Sequence, residues 1–320
     1  MRAVVQTRYG SPDVLELREI AVPEPAAQQV LMRVRASSVN PVEYYRVGGP
    51  VFARFSDGLR RPKSPGLGVD AAGVVEAVGG EVHDLRVGDE VFGLAPAAWA
   101  EHAVAREDRL ALKPAAVPFE DAAAAPVAAL TALQALRDHG RLEPGQKVLV
   151  NGASGGVGTY AVQLAKELGG DVTAACSTPN VETVRELGAD RVVDYRREDF
   201  TRLGVRHELM LDIAGSRPFR QFRRTLTPDA TVVLVGGPMN RGLGPLPHLG
   251  ATIVSGKLRS RRVTFFVSKA NTEDLAYLGE LLASGRLRSV IDRTYALADV
   301  REALRYFGQG HARGKVVLTV

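Results

Sequence analysis

Residues 151–166 read NGASGGVGTYAVQLAK, with four glycines between positions 152 and 158 and an apolar-periodic run directly after. Two overlapping patterns can be written: G-x-x-G-x-x-G through Gly152, Gly155 and Gly158, and G-x-G-x-x-G with Ala153 in the first place. The chemistry that needs such a run is the binding of a dinucleotide. A Cβ would hold the paired phosphates away from the backbone amides, and the helix that follows offers unpaired N–H groups and a partial positive charge. A tight strand-to-helix turn without a ligand is the other reading of the same residues. The context is the required one: a strand before (KVLVN, 147–151), a helix after (GVGTYAVQLAKELG) and a second strand (DVTAACS) about twenty residues on. Gly152, Ser154, Gly155, Gly156, Val157 and Gly158 are therefore expected to line the phosphate site. Folds that prefer NADH place an Asp or Glu at the end of the second strand, against the ribose hydroxyls. Here that place is held by Cys176, Ser177 and Thr178. None is acidic, a 2′-phosphate meets no like charge there, and NADPH is the expected cofactor. Ser177 and Thr178 can donate to the phosphate. Tyr195, Arg196 and Arg197, at the end of a third strand, can reach the same pocket. Cys176 reads as a small packed residue.

Metal chemistry has little to draw on. A catalytic zinc needs three protein ligands, whereas the six histidines (His83, His102, His139, His207, His248, His311) are scattered without ligand spacing. The single cysteine excludes an intrachain disulfide and fits a reducing cytoplasm. The formal charge is +5 and the pI about 9.4, yet the basic clusters RRPK (60–63), YRRE (195–198) and RSRR (259–262) are short. This suits a small phosphorylated ligand better than nucleic acid. No uncharged apolar run of ~18 residues is present and the first residues lack a signal-peptide pattern, so no membrane partner is expected.

The elements that position these groups fall into three stretches. The first third is strand-like: RAVVQT, VLELREI, VLMRVRASSV and DAAGVVEAVGG alternate or are β-branched, with YGSPD and VPEPAAQQ as turns between them. VGDEVFG (87–93) reads as a turn, and 48–66 and 238–262 have no clear period. Near residue 118 the texture changes to the alanine-rich, helix-favouring PFEDAAAAPVAALTALQALRDHG. Strands and helices then alternate, as in a parallel sheet covered on both faces. KVLV and VVLV are continuous apolar runs, as fully buried strands require. After residue 267 come two helical segments, RSVIDRTYAL between them, and a closing strand GKVVLTV. The expected organisation is an α/β domain, 122–267, inserted into a β domain made of 1–121 and 268–320.

The ordered set ASSVNPVEY, PGLGVDAAGVVEAVG, VGDEVFG, LTALQAL, NGASGGVGTYAVQLAKELG, ELGADRVVDY and ARGKVVLTV resembles the zinc-independent quinone oxidoreductases of the medium-chain dehydrogenase/reductase superfamily. The resemblance implies a Rossmann NADP-binding doubly wound parallel sheet inserted into a GroES-like β-barrel domain, a cleft between the two, and a homodimer. It implies hydride transfer from NADPH to a quinone or an α,β-unsaturated carbonyl. Zinc-dependent members carry a Cys in the segment matching ASSVNPVEY and a His-Glu pair matching Val69 and Asp70; here the first has Asn40 and Val69 cannot ligate.

Hydride addition to a conjugated alkene puts negative charge on the carbonyl oxygen, which hydrogen-bond donors must meet where no metal does. By the resemblance the donors are Asn40, which also reads as an ordinary Asn-Pro turn, and Tyr44 or Tyr45. Topology and resemblance together assign further cofactor contacts: Ala214 and Gly215, Gly236 and Gly237, and Phe265, Phe266 and Val267, each after a strand. Thr131, Arg313 and Lys315 match family positions facing the cofactor. The segments 48–66 and 238–262 would shape the substrate pocket. Two other readings stay open, a 2-enoyl-thioester reductase using the same hydride chemistry and a catalytically idle nucleotide-binding protein. Metal-free alcohol oxidation lacks an evident base.

Overall fold

A computed structural model describes residues 1–50, 54, 57–237, 244–257 and 262–320. The chain packs as two units: Met1–Leu130 with Lys269–Val320, and Thr131–Ser268. The sequence places the texture change near residue 118 and the domain boundary at 121/122; the packing division falls at 130/131, inside a helix.

The first part of unit 1 runs β1 (Arg2–Gln6), β2 (Leu15–Glu19), β3 (Gln29–Val39), α1 (Pro41–Gly48), β4 (Asp70–Val78), β5 (Glu90–Leu94), β6 (His102–Arg106), β7 (Leu110–Leu112) and α2 (Phe119–Ala124). VGDEVFG is a turn only at its start. Gly88 takes φ +97°, and from Glu90 the chain is a strand paired with β4, because Val91 and Phe92 are wholly buried. The alanine-rich stretch is not one helix: it stops at Ala124 and restarts as α3 (Pro126–Gln134), since a proline cannot donate to the preceding turn.

Unit 2 then alternates β8 (Lys147–Asn151), α4 (Gly156–Glu167), β9 (Asp171–Cys176), α5 (Val181–Glu186), β10 (Arg191–Asp194), β11 (His207–Asp212), α6 (Phe219–Phe222), β12 (Leu226–Leu234), α7 (Leu246–Lys257) and β13 (Arg262–Phe265). All six strands are parallel, in the order β10-β9-β8-β11-β12-β13. Val148, Leu149, Val150, Met210, Leu211, Val232 and Val233 are all completely buried, which is why these strands read as unbroken apolar runs. The order reverses between β8 and β11. With right-handed crossovers, α4 and α5 cover one face and α6 and α7 the other.

The chain returns to unit 1 through α8 (Thr272–Ala283), β14 (Ile291–Ala296), α9 (Val300–Gly308) and β15 (Lys315–Thr319). The closing strand pairs antiparallel with β3, Val316 facing Val39. β3 serves three partners: β6 along Gln29–Arg33, β15 along Ala36–Val39, and β4 on its other edge. Register shifts at Leu31/Met32 and Val34/Ala36 bend it enough to do so. An α/β sheet interrupting a β domain is thus the observed architecture. Of the stretches without readable period, 244–257 contains helix α7, while 51–53, 55–56, 238–243 and 258–261 lie outside the described residues.

Candidate functional site

Parallel strands bring the sequence-assigned groups of unit 2 to one edge of the sheet. Gly152 follows β8, Ser177 and Thr178 follow β9, Tyr195 follows β10, Ala214 and Gly215 follow β11, Gly236 and Gly237 follow β12, and Phe266 and Val267 follow β13.

The three glycines at the head of this edge do different work. Gly152 adopts φ +97°, open to glycine at no steric cost; its N–H and that of Ala153 donate to Ala175 O at 3.2 and 3.1 Å. Gly158 lies where the helix crosses the turn. A Cβ there would fall 2.1 Å from Gly152 O and 2.8 Å from Ala153 Cα. Gly155 is different: its only neighbour would be Gly152 O at 3.7 Å. Among the described residues no other chain-distant heavy atom lies within 4 Å of that position. Gly155 is the N-cap of α4 and supplies no side-chain cap, so the first-turn N–H groups of Gly156, Val157 and Gly158 have no capping side chain. An open cradle at an uncapped helix start fits the phosphates of a dinucleotide.

Beside the cradle, Asn180 donates through Nδ2 to Ser154 Oγ at 3.1 Å and to Ser177 Oγ at 3.0 Å. Sequence reasoning missed it, although its position at the start of α5 is a capping position. It also missed Asp194, which the register of β9 and β10 sets opposite Cys176. An acid does therefore reach this corner, from the third strand rather than the second. Burial opposes its ionisation, but the Thr178 hydroxyl, the Arg196 N–H at 3.0 Å and the nearby arginines together hold its pKa below the usual carboxylate range. Arg197 Nε stands 3.5 Å from its Oδ2. Tyr195 is half exposed and donates its N–H to Cys176 O. Cys176 is 1 % exposed, and burial, followed by the charge of Asp194, pushes its thiol up to about 11. It is no nucleophile.

At the middle of the edge, a Cβ on Gly152 would meet Ala214 N and Cβ at 3.1 Å, so the two loops touch. Asp212 is buried and accepts from Asn151 Nδ2 (2.7 Å), the Gly215 N–H (3.1 Å) and His248 Nε2 (2.8 Å). Gly236 lies against Ile213 O and Gly237 against Pro245. Thr131 Oγ1 pairs with Ser268 Oγ at 2.9 Å. Phe265 and Val267 are exposed, whereas Phe266 stacks on His139 with ring centroids 4.1 Å apart.

Unit 1 gathers a buried polar cluster around the start of α1. Asn40-Pro41 is not a free turn: Pro41 opens the helix, and the Asn40 N–H donates to Glu43 Oε2 at 2.8 Å. This is half of a capping box, legible as Asn-x-x-Glu. The Asn40 side chain turns inward. Its Nδ2 donates to Asp70 Oδ2 (2.9 Å), and its Oδ1 accepts from Lys315 Nζ (2.5 Å). Asp70 also accepts from Ser38 Oγ (2.5 Å), the Val127 N–H (2.8 Å) and Lys315 Nζ (3.3 Å). Asn40, Glu43, Asp70 and Lys315 are at most 3 % exposed. Burial first, then the Asp70 charge, pushes the Glu43 carboxyl up to about 8, and its Oε1 has no partner. Of the tyrosines, Tyr44 packs into the core beside Phe307 and Gly308. Tyr45 lies edge-on to it at 6.1 Å, and burial raises its phenol pKa. Arg313 donates its N–H to Asp292. Among the described residues no group of three or more His, Cys, Asp or Glu could hold a metal ion.

Two family models match the chain: an alcohol dehydrogenase GroES-like domain over residues 26–115 and a zinc-binding dehydrogenase over 187–318. It is similar to a chloroplast envelope quinone oxidoreductase homolog of Arabidopsis thaliana, 32 % identical over 99 % of this chain and 98 % of that one. A chloroplastic NADPH-dependent alkenal/one oxidoreductase of Arabidopsis thaliana is 33 % identical over 99 % of this chain and 79 % of its own length. The solved quinone oxidoreductase of Coxiella burnetii superposes with a TM-score of 0.88 at 31 % identity, over 100 % of this chain and 99 % of that one.

Proposed function

This chain belongs to the quinone oxidoreductase family of the medium-chain dehydrogenase/reductase superfamily, and on that premise we propose that it reduces a quinone or an α,β-unsaturated carbonyl with NADPH. The observation that carries the reading is the cradle beside Gly155, at the switch point of a parallel sheet and, among the described residues, open to within 4 Å of a Cβ there save for Gly152 O. Bound there, NADPH supplies the hydride. Gly152, Gly155 and the first turn of α4 hold its phosphates, while Ser177, Thr178 and Tyr195 meet the ribose end. Ala214, Gly215, Gly236 and Gly237 leave room along the rest of the edge.

On the substrate side, Asn40 has its amide committed to Asp70 and Lys315. We assign it to holding the first turn of α1. Tyr45 is the donor we assign to the substrate oxygen, because a phenol with a raised pKa stays protonated across the physiological range. Removing one such donor costs about 10²–10³ in rate. Tyr45→Phe is therefore expected to lower kcat by about that factor while leaving the Kd for NADPH unchanged.

The test of the whole is NADPH oxidation with a panel of quinones, enones and 2-enoyl thioesters. Turnover of quinones or enones supports the proposal. NADPH binding without turnover of any of them returns the chain to an idle nucleotide-binding protein, and thioester turnover alone selects the acyl reductase.

Cofactor choice is a second measurable consequence. Ser177→Asp adds a carboxylate at the 2′-phosphate end and is expected to lower the NADPH/NADH ratio of kcat/KM about tenfold. Asp194→Asn is expected to raise it. Unchanged ratios in both variants would remove Ser177 and Asp194 from the ribose pocket. The single cysteine suits a cytoplasmic protein, and we expect a homodimer; no helix among the described residues is long and apolar enough to cross a membrane.

A further inference from the structure

On the α6–α7 side of unit 2 lies a cavity of about 410 Å³ that shares only Gly215 with the dinucleotide reading. One wall is the segment after β11, Gly215 to Arg220. The other is α7, which presents His248, Ala251, Thr252 and Ser255, spaced i, i+3, i+4, i+7 on one helical face. α4 and its glycine turn belong to the opposite face, and no residue of 152–158 lines the cavity.

The charge of the lining is one-sided. Arg217 and Arg220 both face the cavity, with the hydroxyls of Ser216, Thr252 and Ser255, and no carboxylate lines it. Asp212, bonded to the lining residue His248, is fully buried and already accepts three hydrogen bonds. Among the described residues neither Arg217 nor Arg220 makes a hydrogen bond or ion pair; the charge of Arg217 helps to lower the pKa of Asp199. Two arginines lining one concavity together with hydroxyls, and no carboxylate among its described lining residues, match the planar or tetrahedral oxyanions that Arg binds best.

We propose that this cavity is a binding site for a compact oxyanion, a phosphate or carboxylate group, held by Arg217 and Arg220 and separate from the dinucleotide cradle. Its occupant is a second ligand, or the anionic end of one, entering beside Gly215 and Gly237, which follow β11 and β12. His248 ties the site to them: its ring bonds Asp212, and a Cβ on Gly237 would lie 3.8 Å from its Cδ2.

The test is calorimetric titration with inorganic phosphate, and in parallel with acetate, at constant ionic strength set with chloride. Each titration is run with and without saturating NADPH, which keeps phosphate out of the glycine cradle. The expected result is saturable one-to-one binding that survives NADPH. Loss of the charge-assisted bonds means that Arg217→Gln with Arg220→Gln should weaken it at least about tenfold. Both arginines lie outside the core, and an unchanged melting temperature confirms that the variant is folded. Phosphate binding without acetate binding assigns a phosphate ligand; binding of both assigns a site open to carboxylates. Heat that NADPH abolishes and the double variant retains overturns the proposal, as does the absence of any heat beyond that of chloride.

Discussion

Gly158→Ala will destroy NADPH binding and lower the melting temperature, whereas Gly155→Ala will leave the fold intact and weaken the cofactor alone. A methyl group on Gly158 arrives 2.1 Å from Gly152 O and 2.8 Å from Ala153 C and Cα. These are backbone atoms, so no rotamer can yield. Either α4 moves off the turn or the turn loses the two N–H bonds to Ala175 O. Overpacking of this kind costs about 1–3 kcal/mol or more. Among the described residues a methyl on Gly155 meets one atom within 4 Å, at 3.7 Å, and its backbone, φ −85° and ψ 177°, suits any residue. Its stability change should stay within about 1 kcal/mol, so any larger loss of NADPH affinity reports the cradle directly. Thermal melts and NADPH fluorescence titrations of the pair decide the matter. If Gly155→Ala binds NADPH as the parent does, the phosphates do not lie there.

Lys315→Met will destabilise the protein by about 3–5 kcal/mol, because it strands the Asp70 charge in a site from which water is excluded. Asp70 is fully buried and Lys315 is 3 % exposed. The neighbouring Glu43 gives the cluster a pH signature. Its carboxyl titrates near 4.5 in an unfolded chain and near 8 in the folded one. Above about 4.5 the unfolded chain releases a proton that the native state retains. The contribution of Glu43 to stability is therefore fully present below that pH and is lost progressively up to about 8. The loss is at most on the order of 5 kcal/mol. Glu43→Gln keeps an acceptor for the Asn40 N–H and removes the titration. Its denaturant midpoint should fall less between pH 5 and pH 8 than that of the parent. Parallel profiles would mean that Glu43 is ionised in the native state.

What could be read in advance, and what could not, follows from the reach of each interaction. The glycine turn is local: strand, turn and helix lie within twenty residues, and the required backbone freedom is visible as residue type. The parallel sheet is nearly as legible, since buried strands leave unbroken runs such as KVLV. Asp194 is invisible for the opposite reason. Nothing in RVVDY says that register sets its carboxylate opposite Cys176, so the ribose end read as free of acid. The Asn40 cluster is less local still, drawing on Asp70, thirty residues away, and Lys315, 275 residues away. The Asn-x-x-Glu signature of α1 is visible in the sequence, where Asn40 reads as a donor to the substrate or as an Asn-Pro turn rather than as a helix cap. Helix α7 escaped because Pro247, Gly250 and Gly256 blur its apolar period.

The pairing of β15 with β3 has a consequence for how the polypeptide is made. Lys315 neutralises Asp70 only after the entire inserted sheet has left the ribosome. Unit 2 is contiguous and can complete its fold during translation. Unit 1, although started first, must wait with an uncompensated acid at its centre, and that interval is when a chaperone would have something to hold.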